Sequence, residues 1–407
     1  MTAITEEPVR LDAAQPTEAQ QTTEAQQPTG AQHPAAPRRQ VLMNPGPVIT
    51  DDRVRAALAG PDLCHREPEF AELMTRVRRK ATAVSGGGAE HTSVVLTGSG
   101  TGAVEAAIAS VVPADGGILV LDNGHYGERL HDIAVVHGIR VRRLEFGWGV
   151  PVDPAAVEEA LAADPALTHV GVVHHETSTG MLNDLSAIAG AAHRHGRRLI
   201  VDAVSSVGAE HVDLAGDGID WLVGSANKCL EGMPGLGFVV ARRDAFAALA
   251  ELPRRTYYLD LHRHFKAQEL AVAPAFTPGI PAFYAFDLAL DLALAEGVRA
   301  RGERYRGLAE RLRSGLDALG LDILLAPEHR AAGLTAIRLP EGLTYRALHA
   351  ALKAEGFVIY TAQEQLAADH FRLSTMGDMT EQDVDRFLAV LAPVLAEAAA
   401  VRSGRDS

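Results

Sequence analysis

Short apolar runs alternate with helical repeats between residues 92 and 245, and this alternation constrains the fold more than any other feature of the sequence. Helices are predicted at Gly102–Val112, Gly127–His137, Pro154–Ala163 and Leu185–His195. Strands are predicted around them at Thr92–Thr97, Ile118–Asp122, Val141–Phe146, His169–His175, Arg198–Val204, Ile219–Gly224 and Gly237–Ala241. This pattern predicts an α/β fold, with a mostly parallel sheet covered by helices on both faces. Ligands of such sheets bind at the carboxyl ends of the strands.

Three regions are predicted along the chain. Residues 1–40 contain mainly Gln, Thr, Ala, Glu and Pro and almost no large apolar side chains, which predicts a disordered tail. Residues 41–296 form the predicted large domain, of which residues 41–60 are expected to pack on the small domain. Residues 297–402 form the predicted small α+β domain, with helices at Glu303–Leu319, Tyr345–Glu355 and Glu381–Ala398 and strands at Thr335–Leu339 and His370–Ser374.

Composition argues against several classes of function and location. Of the 407 residues, 47% are hydrophobic, which is enough for a sizeable core. The net charge of -14 argues against nucleic-acid binding, and the basic cluster Arg76–Lys80 is spaced as on the solvated face of a helix. Cys64 and Cys229 are too far apart for a zinc site or a disulfide framework, which indicates a reducing cytoplasm. We find no secretory signal and no apolar run of the roughly 18 residues that span a membrane, so no membrane association is expected.

Lys228 stands among small and turn-forming residues just after the strand predicted at Ile219–Gly224. A lone lysine is usually a solvated surface group, but these neighbours favour a confined loop. Asp202 interrupts an otherwise apolar strand, where an unpaired carboxylate is costly and needs a cationic partner. That partner is either an arginine or a helix end, or it is the protonated ring nitrogen of pyridoxal phosphate. In the second case Lys228 would form a Schiff base with the cofactor aldehyde and move the substrate proton.

Other polar residues follow neighbouring predicted strands. The turn Gly98–Gly102 opens a helix, and it forms either a phosphate site or only a tight strand-to-helix turn. Tyr126 either stacks on a flat heterocycle or packs under a loop. His174 and His175 point to opposite faces of a strand, so they favour hydrogen bonding over metal binding. Arg372 lies mid-strand among apolar residues, and it binds a carboxylate or phosphonate with two nitrogens or forms a structural ion pair.

Together these residues resemble the class V aminotransferases of fold type I, and within them the 2-aminoethylphosphonate–pyruvate transaminases. The resemblance extends from Asn44–Pro47 to about Gly377, and its most specific parts are Cys64–Phe70, His174–Gly180 and Ser225–Gly235. It implies pyridoxal phosphate as cofactor, an amine and a 2-oxo acid as substrates, and a homodimer with shared active sites.

The resemblance also assigns roles to single residues, and it implies no metal site. Lys228 and Asp202 would be catalytic. Cofactor binding is implied for Ser99, Gly100 and Thr101 at the phosphate, Tyr126 on the ring, Thr177 near the ring hydroxyl, Asp202 at the ring nitrogen, Asn227, Lys228 and, at the neighbouring subunit's phosphate, Thr277. Substrate binding is implied for Arg372 at the acidic group, with Asn44 and Gly46 lining the pocket.

The expected reaction moves the amino group of 2-aminoethylphosphonate to pyruvate, which gives phosphonoacetaldehyde and L-alanine. Pro278–Ala282 departs from the family pattern Ser-Pro-Thr-His-Thr and lacks its hydroxyl and imidazole groups. The alternatives are an alanine–glyoxylate or serine–pyruvate transaminase and, from another class, a cofactor-binding regulator without turnover. A cysteine desulfurase is disfavoured, because the predicted small domain contains no cysteine.

Overall fold

The structure, a computed structural model, describes residues 40–403. The predicted disordered tail lies outside these residues, apart from Gln40, and stays a prediction. The strands are β1 Val41–Leu42, β2 His91–Thr97, β3 Gly117–Asp122, β4 Arg140–Glu145, β5 Leu167–Val173, β6 His175–Glu176, β7 Met181–Leu182, β8 Arg198–Asp202, β9 Trp221–Ser225, β10 Leu236–Arg242, β11 Leu334–Arg338, β12 Phe357–Val358, β13 Tyr360–Thr361 and β14 His370–Ser374. The α-helices are α1 Asp52–Ala57, α2 Pro68–Val84, α3 Gly100–Val111, α4 His125–Val136, α5 Pro154–Ala163, α6 Leu185–Arg194, α7 Arg243–Ala248, α8 Leu261–Phe265, α9 Ile280–Glu296, α10 Val298–Ala318, α11 Tyr345–Ala354 and α12 Glu381–Ser403.

Seven strands form the central sheet, in the order β2-β10-β9-β8-β5-β3-β4. β10 runs antiparallel to β2 and β9, whereas the other neighbouring pairs are parallel. β3 and β9 are buried along their whole length, as expected where helices cover both faces of a sheet. The predicted α/β fold with a mostly parallel seven-stranded sheet is therefore confirmed.

Alternate residues of the strands belong to two separate apolar clusters, one on each face of the sheet. Leu119 lies in a cluster that includes side chains of α2, α5, α6 and α9. Val120, the next residue, lies in a cluster that includes side chains of α3, α4, α7 and α8. In the interior strands β3, β8 and β9 the polar residues stand only at the strand ends, and at the carboxyl ends these are Asp122, Asp202 and Ser225, where ligands of such sheets bind.

A second, three-stranded antiparallel sheet has the order β11-β14-β13. It packs with α10, α11 and α12 through residues such as Leu312, Leu348 and Phe387. β1 pairs in parallel with β12, and Val41 and Met43 belong to this same apolar cluster. The predicted domain boundary at residues 296–297 stays a prediction. In residues 40–403, each helix is too short or too polar to cross a membrane.

The predicted elements are present, with their ends displaced by a few residues. α10 begins at Val298 rather than Glu303. β5 ends at Val173, so the strand predicted to reach His175 is wrong at that end, and His175 instead begins the hairpin of β6 and β7. No helix is predicted for α1, α7, α8 or α9, and for α2 only Arg76–Lys80 is assigned to a helix, without bounds, although the apolar spacing of the whole segment is helical.

The expectation that Arg76–Lys80 is a solvated helix face is wrong for two of its residues. Arg78 is buried and donates to the backbone carbonyls of Ser93, 2.8 Å away, and Gln268, 2.6 Å away. Lys80 is buried and forms an ion pair of 2.6 Å with Asp287 on α9. These acceptors lie far along the chain, so local spacing gives no sign of them.

Candidate active site

Lys228 lies in the turn that joins the antiparallel strands β9 and β10. The backbone N–H of Glu231 donates to the Lys228 carbonyl at 2.8 Å, and the N–H of Gly232 donates to the Ala226 carbonyl at 2.8 Å. These bonds close a compact loop at the carboxyl end of β9. Lys228 is therefore held at the edge of the sheet where the other candidate residues lie.

The amine of Lys228 donates a hydrogen bond to the backbone carbonyl of Pro45. The rest of its side chain lies directly against Gly46, where a Cβ atom would stand 2.5 Å from Nζ. Burial lowers the pKa of Lys228, and the nearby Arg372 and Arg129 charges lower it further. A lowered pKa favours the unprotonated amine, which is the nucleophilic form.

Asp202 ends β8 and is buried. Its Oδ1 accepts a hydrogen bond of 3.0 Å from the N–H of Val204. Burial raises the pKa of Asp202, while the Arg129 charge and the Val204 bond act in the opposite direction. Among the described residues no arginine or lysine lies within ion-pair distance of it, although the Arg129 and Lys228 charges act on it from further away, so the close cationic partner that the carboxylate needs is not found in this part of the chain.

The turn before α3 has the geometry of an anion site. Ser99 caps the helix, and its hydroxyl accepts from the N–H of Gly102 at 3.2 Å. Gly100 packs so closely that a Cβ atom would lie 2.9 Å from a methyl group of Val204. The hydroxyl of Thr101 accepts from Arg129 Nη1 at 3.0 Å. The helix N-terminus and Arg129 both favour an anion here.

Tyr126 lies in the first turn of α4, and the buried Glu176 fixes its backbone. Glu176 Oε2 accepts hydrogen bonds from the backbone N–H groups of Tyr126 and Gly127, each at 3.1 Å, and Oε1 accepts one from the hydroxyl of Ser178 at 2.6 Å. Burial raises the pKa of Glu176 to about 7. The guanidinium of Arg129 lies 4.3 Å from the centre of the Tyr126 ring, in a cation–π contact.

A cavity of about 160 Å³ lies between these groups. Seven predicted residues line it: Ser99, Gly100, Thr101, Tyr126, Asp202, Asn227 and Lys228. Three other lining residues each have a buried polar atom without a hydrogen-bond partner in the described part of the chain: Arg129 Nε, His175 Nε2 and Ser225 Oγ. His175 Nδ1 bonds to the carbonyl of Ser205 at 2.9 Å, so Nδ1 carries the proton and Nε2 is an acceptor.

Sequence reasoning missed three polar residues of this cavity, Arg129, Ser205 and Ser225, and it predicted for His175 only hydrogen bonding, although Arg129 and Ser205 had a usable signal. Arg129 follows Tyr126 by three positions, and Tyr126 directly precedes the predicted helix Gly127–His137, so a helix beginning slightly earlier, as α4 does, places both residues on one face. Ser205 follows Asp202 by three positions, just beyond the same strand. His175 and Ser225 lie in segments already singled out, but their contact with the cavity depends on how the strands end.

Arg372 on β14 is buried beside the cavity rather than in its lining. Its Nε donates to the carbonyl of Thr361 at 3.1 Å, and its Nη1 donates to the carbonyl of Thr177 and to Gln363 Oε1, each at 3.0 Å. Nη2 is the nitrogen that these bonds do not use. Tyr126 also interacts with this guanidinium, so it connects Arg372 to the cavity.

Two further predicted residues, Asn44 and Thr277, lie outside the lining of the cavity. Asn44 is buried near Lys228, and its side chain donates to the carbonyl of Pro47 at 2.8 Å. Thr277 is exposed and does not line the cavity of its own chain, so its role toward a neighbouring subunit stays a prediction. Within residues 40–403, no three His, Cys, Asp or Glu side chains are grouped so that they could hold a metal ion.

Known proteins resemble this chain in sequence and in overall fold. The 2-aminoethylphosphonate–pyruvate transaminase of Syntrophobacter fumaroxidans is 39% identical over 352 residues, 86% of this chain and 94% of that protein. The crystal structure of an alanine–glyoxylate aminotransferase from Nostoc sp. matches with a TM-score of 0.84 and 26% identity, over 90% of this chain and 97% of that one. A pyridoxamine–pyruvate aminotransferase from Mesorhizobium loti matches with a TM-score of 0.83 and 28% identity, over 90% and 94% of the two chains.

The model of one protein family, "Aminotransferase class-V", matches residues 55–387. This range begins in α1, ends in α12, and includes the lysine turn, Asp202 and Arg372. The chain belongs to the class V aminotransferases.

Proposed function

We propose that this aminotransferase moves the amino group of 2-aminoethylphosphonate to pyruvate, with pyridoxal phosphate as its cofactor. The observation that carries the proposal is a single cavity lined by the Lys228 amine, the Asp202 carboxylate and the N-terminal turn of α3. Curated relatives with 35–39% identity over most of this chain are named for this reaction.

The residues present fit the proposed cofactor. Arg129 Nε is a buried donor at the cavity without an acceptor, as expected beside an anion that the protein does not itself provide. Ser99, Gly100 and Thr101 would hold the phosphate, Tyr126 would cover one face of the ring, Asp202 would pair with the ring nitrogen, and Thr177 and Asn227 would lie beside the ring. Pyridoxal phosphate supplies an aldehyde that reacts with amines and a ring that withdraws electrons.

Lys228 Nζ is the group placed to move a proton. Its lowered pKa leaves the amine able to accept a proton from the carbon that bears the substrate nitrogen. The Pro45 carbonyl accepts a hydrogen bond from the same nitrogen, which orients its lone pair. Asp202 keeps its negative charge when a cation lies against it, so the protein favours a protonated ring nitrogen.

Arg372 would bind the acidic group of each substrate. Three acceptors hold its Nε and Nη1, so the planar guanidinium is fixed before a substrate arrives. A phosphonate and a carboxylate both accept hydrogen bonds from such a fixed group. One residue would therefore serve both half-reactions, in which 2-aminoethylphosphonate and pyruvate bind in turn.

The proposed homodimer rests on Thr277, an exposed residue that would complete the phosphate site of a second subunit. A cytoplasmic location is proposed with it, on the cysteine content of the chain. Cys229 lies next to Lys228, but it is fully buried and its Sγ contacts the Ser205 carbonyl at 3.3 Å. Burial raises the pKa of this thiol, so it is not suited to the attack that a desulfurase needs.

Single-turnover reactions distinguish the possible amino donors. The protein loaded with pyridoxal phosphate is mixed with 2-aminoethylphosphonate, alanine or serine, and the absorbance of the bound cofactor is followed. We expect the fastest conversion with 2-aminoethylphosphonate and the formation of phosphonoacetaldehyde. Conversion by serine or alanine alone would assign the chain to the serine–pyruvate or alanine–glyoxylate type.

A pair of lysine variants controls this experiment. Lys228→Arg should abolish conversion, whereas Lys353→Arg, on the exposed side of α11, should not change it. Equal conversion by Lys228→Arg and the parent protein would remove Lys228 from the reaction.

A further inference from the structure

Next to the lysine turn, five side chains form one network, here called the Glu231 cluster: Glu231, Glu296, Arg301, Arg304 and Tyr305. Glu231, Arg301 and Tyr305 are buried, whereas Glu296 and Arg304 are partly exposed. Two of its members are carboxylates and two are guanidinium groups, so the cluster has balanced charge. Glu231 belongs to the lysine turn, Glu296 ends α9, and the other three lie on α10. The cluster therefore joins the turn that carries Lys228 to a helix of the C-terminal part of the chain.

Glu231 has a backbone conformation that side chains rarely adopt. Its φ angle is +56°, in the left-handed region that favours glycine. The residue is only 7% exposed, although glutamate is seldom buried without partners. A strained and buried glutamate persists only where its surroundings hold it, and here it lies three residues after Lys228.

The bonds around Glu231 are short and numerous. Its Oε1 accepts from Arg304 Nη2 at 2.8 Å and from the hydroxyl of Tyr305 at 2.5 Å, and its Oε2 lies 3.7 Å from Arg301 Nη2. Arg301 Nη1 also donates to the carbonyl of Cys229 at 3.2 Å. Cys229, directly after Lys228, is thus bound to α10 through its backbone carbonyl, and Glu231 is bound to α10 through its side chain.

The same cluster contacts the loop that follows the Arg372 strand. The hydroxyl of Tyr305 accepts from the N–H of Gly377 at 3.2 Å, while it donates to Glu231. Arg304 Nη1 donates to the Gly377 carbonyl at 3.3 Å. The loop of Gly377 directly follows β14, which carries Arg372. Tyr305 and Arg304 therefore bridge the lysine turn and the strand of the proposed substrate-binding arginine.

We propose that the Glu231 cluster is a positioning device, which holds the Lys228 turn in register with the Arg372 strand. It touches neither cofactor nor substrate in this scheme, and it acts by fixing Cys229 and Glu231 on α10. The inference deepens the proposed function and rests on it, because it assumes that Lys228 and Arg372 act on one substrate. An error of about 1 Å in such a placement costs roughly 100-fold in rate.

Two variants test the cluster, with one matched control. Tyr305→Phe removes only the hydroxyl that joins Glu231 to Gly377, and Glu231→Gln removes the charge. Glu303→Gln is the control, because Glu303 lies exposed on the same helix and, within residues 40–403, its ion pair is with Arg299 of that helix, 3.0 Å away. Thermal unfolding of each variant shows whether it folds, and Tyr305→Phe decides the test if Glu231→Gln does not fold.

The first readout uses the protein without cofactor. The chain has four lysines, Lys80, Lys228, Lys266 and Lys353, so peptide mass spectrometry resolves the reaction of each with acetic anhydride. The rate for Lys228 is measured against pH, with exposed Lys353 as internal reference. We expect the midpoint for Lys228 to rise in Tyr305→Phe and Glu231→Gln, with at least about a threefold lower rate at pH 8, and to stay unchanged in Glu303→Gln.

The second readout is steady-state kinetics. The kcat should fall roughly tenfold or more in both cluster variants, with little change in the KM of the amine, because binding groups remain while the proton-moving group is displaced. A folded Tyr305→Phe protein whose Lys228 profile overlies that of the parent would overturn the inference, as would an equal shift in Glu303→Gln. The lysine profile involves no substrate, so an incorrect substrate assignment would leave this result intact.

Discussion

Gly46 lies against the side chain of Lys228, so replacing it with alanine tests directly where that lysine points. The backbone at Gly46 has a φ angle of +130°, which side chains rarely adopt. A Cβ atom there would stand 2.5 Å from Lys228 Nζ and 2.8 Å from both Cδ and Cε. Carbon atoms in good contact are about 3.5–4.0 Å apart, so the lysine must move by about 1 Å.

Two costs follow from the Gly46→Ala substitution. The backbone conformation costs about 1–3 kcal/mol of folding stability when a side chain is present. The displaced Nζ loses its bond to the Pro45 carbonyl, and a 1 Å error in a reacting group lowers the rate roughly 100-fold, or about 2.7 kcal/mol of activation free energy. We therefore expect kcat/KM to fall about 100-fold while the protein still folds.

Gly342→Ala is the control that separates the two costs. Gly342 also has a positive φ angle, +82°, but a Cβ atom there meets nothing within 4 Å. The Gly342→Ala protein should have a lower free energy of unfolding in urea than the parent protein, with the same kcat/KM. If Gly46→Ala kept kcat/KM within threefold of the parent protein, the placement of Lys228 against Gly46 would be refuted.

Three further outcomes are expected. Arg372→Lys should raise the KM of both substrates about tenfold or more in steady-state kinetics, because an ammonium group cannot keep the three bonds that fix the guanidinium and also present a donor at the position of Nη2; an unchanged KM would contradict the proposed role. Burial lowers the pKa of His174 to about 3 and that of His175 to about 4, below the unfolded value of 6.5. Each histidine therefore contributes folding stability that is present above pH 6.5 and is lost as pH falls, by about 2 kcal/mol at pH 5. Urea unfolding at pH 7 and at pH 5 measures this loss of stability, and we expect it to be smaller in His175→Asn than in the parent protein. Phe286→Ala should cost about 3–5 kcal/mol in urea, because that ring is buried against the sheet, whereas Val135→Ala at a half-exposed position should cost under about 0.5 kcal/mol.

Local signals account for the parts of the fold that are predicted well. Helix α5 is predicted with both ends correct, because Asp153 caps it and Pro154 occupies its first turn. The ends of α10 are less well predicted, because Gly297 both ends α9 and begins α10, which leaves no loop between them. Helix α9 carries apolar residues on most of its surface, so its periodicity is weak and its packing on the sheet decides its structure.

The candidate site likewise contains residues that the sequence predicts and contacts that depend on the folded chain. Asp202 is predicted from sequence because a carboxylate in an apolar strand is costly without a partner, and Lys228 is predicted because its small and turn-forming neighbours favour a confined loop. The Pro45 carbonyl that accepts from Lys228 is not found, because any backbone carbonyl has the same chemistry and only the folded chain selects one. The Glu231 cluster is missed for a related reason, since its members come from the lysine turn, the end of α9 and α10, and only the folded chain brings these three segments together.

The pairing of β1 with β12 affects when the site can be completed during synthesis. Val41 pairs with Phe357, and the carbonyl of Met43 accepts from the N–H of Ser374 at 2.7 Å. The segment leading to Pro45 can therefore form these bonds only after almost the whole chain has been synthesised. Such contacts between distant residues form late, because a long loop must close first. A nascent chain that ends before β12 would contain Lys228 without the strand that fixes its acceptor. We therefore expect Lys228 to reach its final position only after translation of the C-terminal sheet.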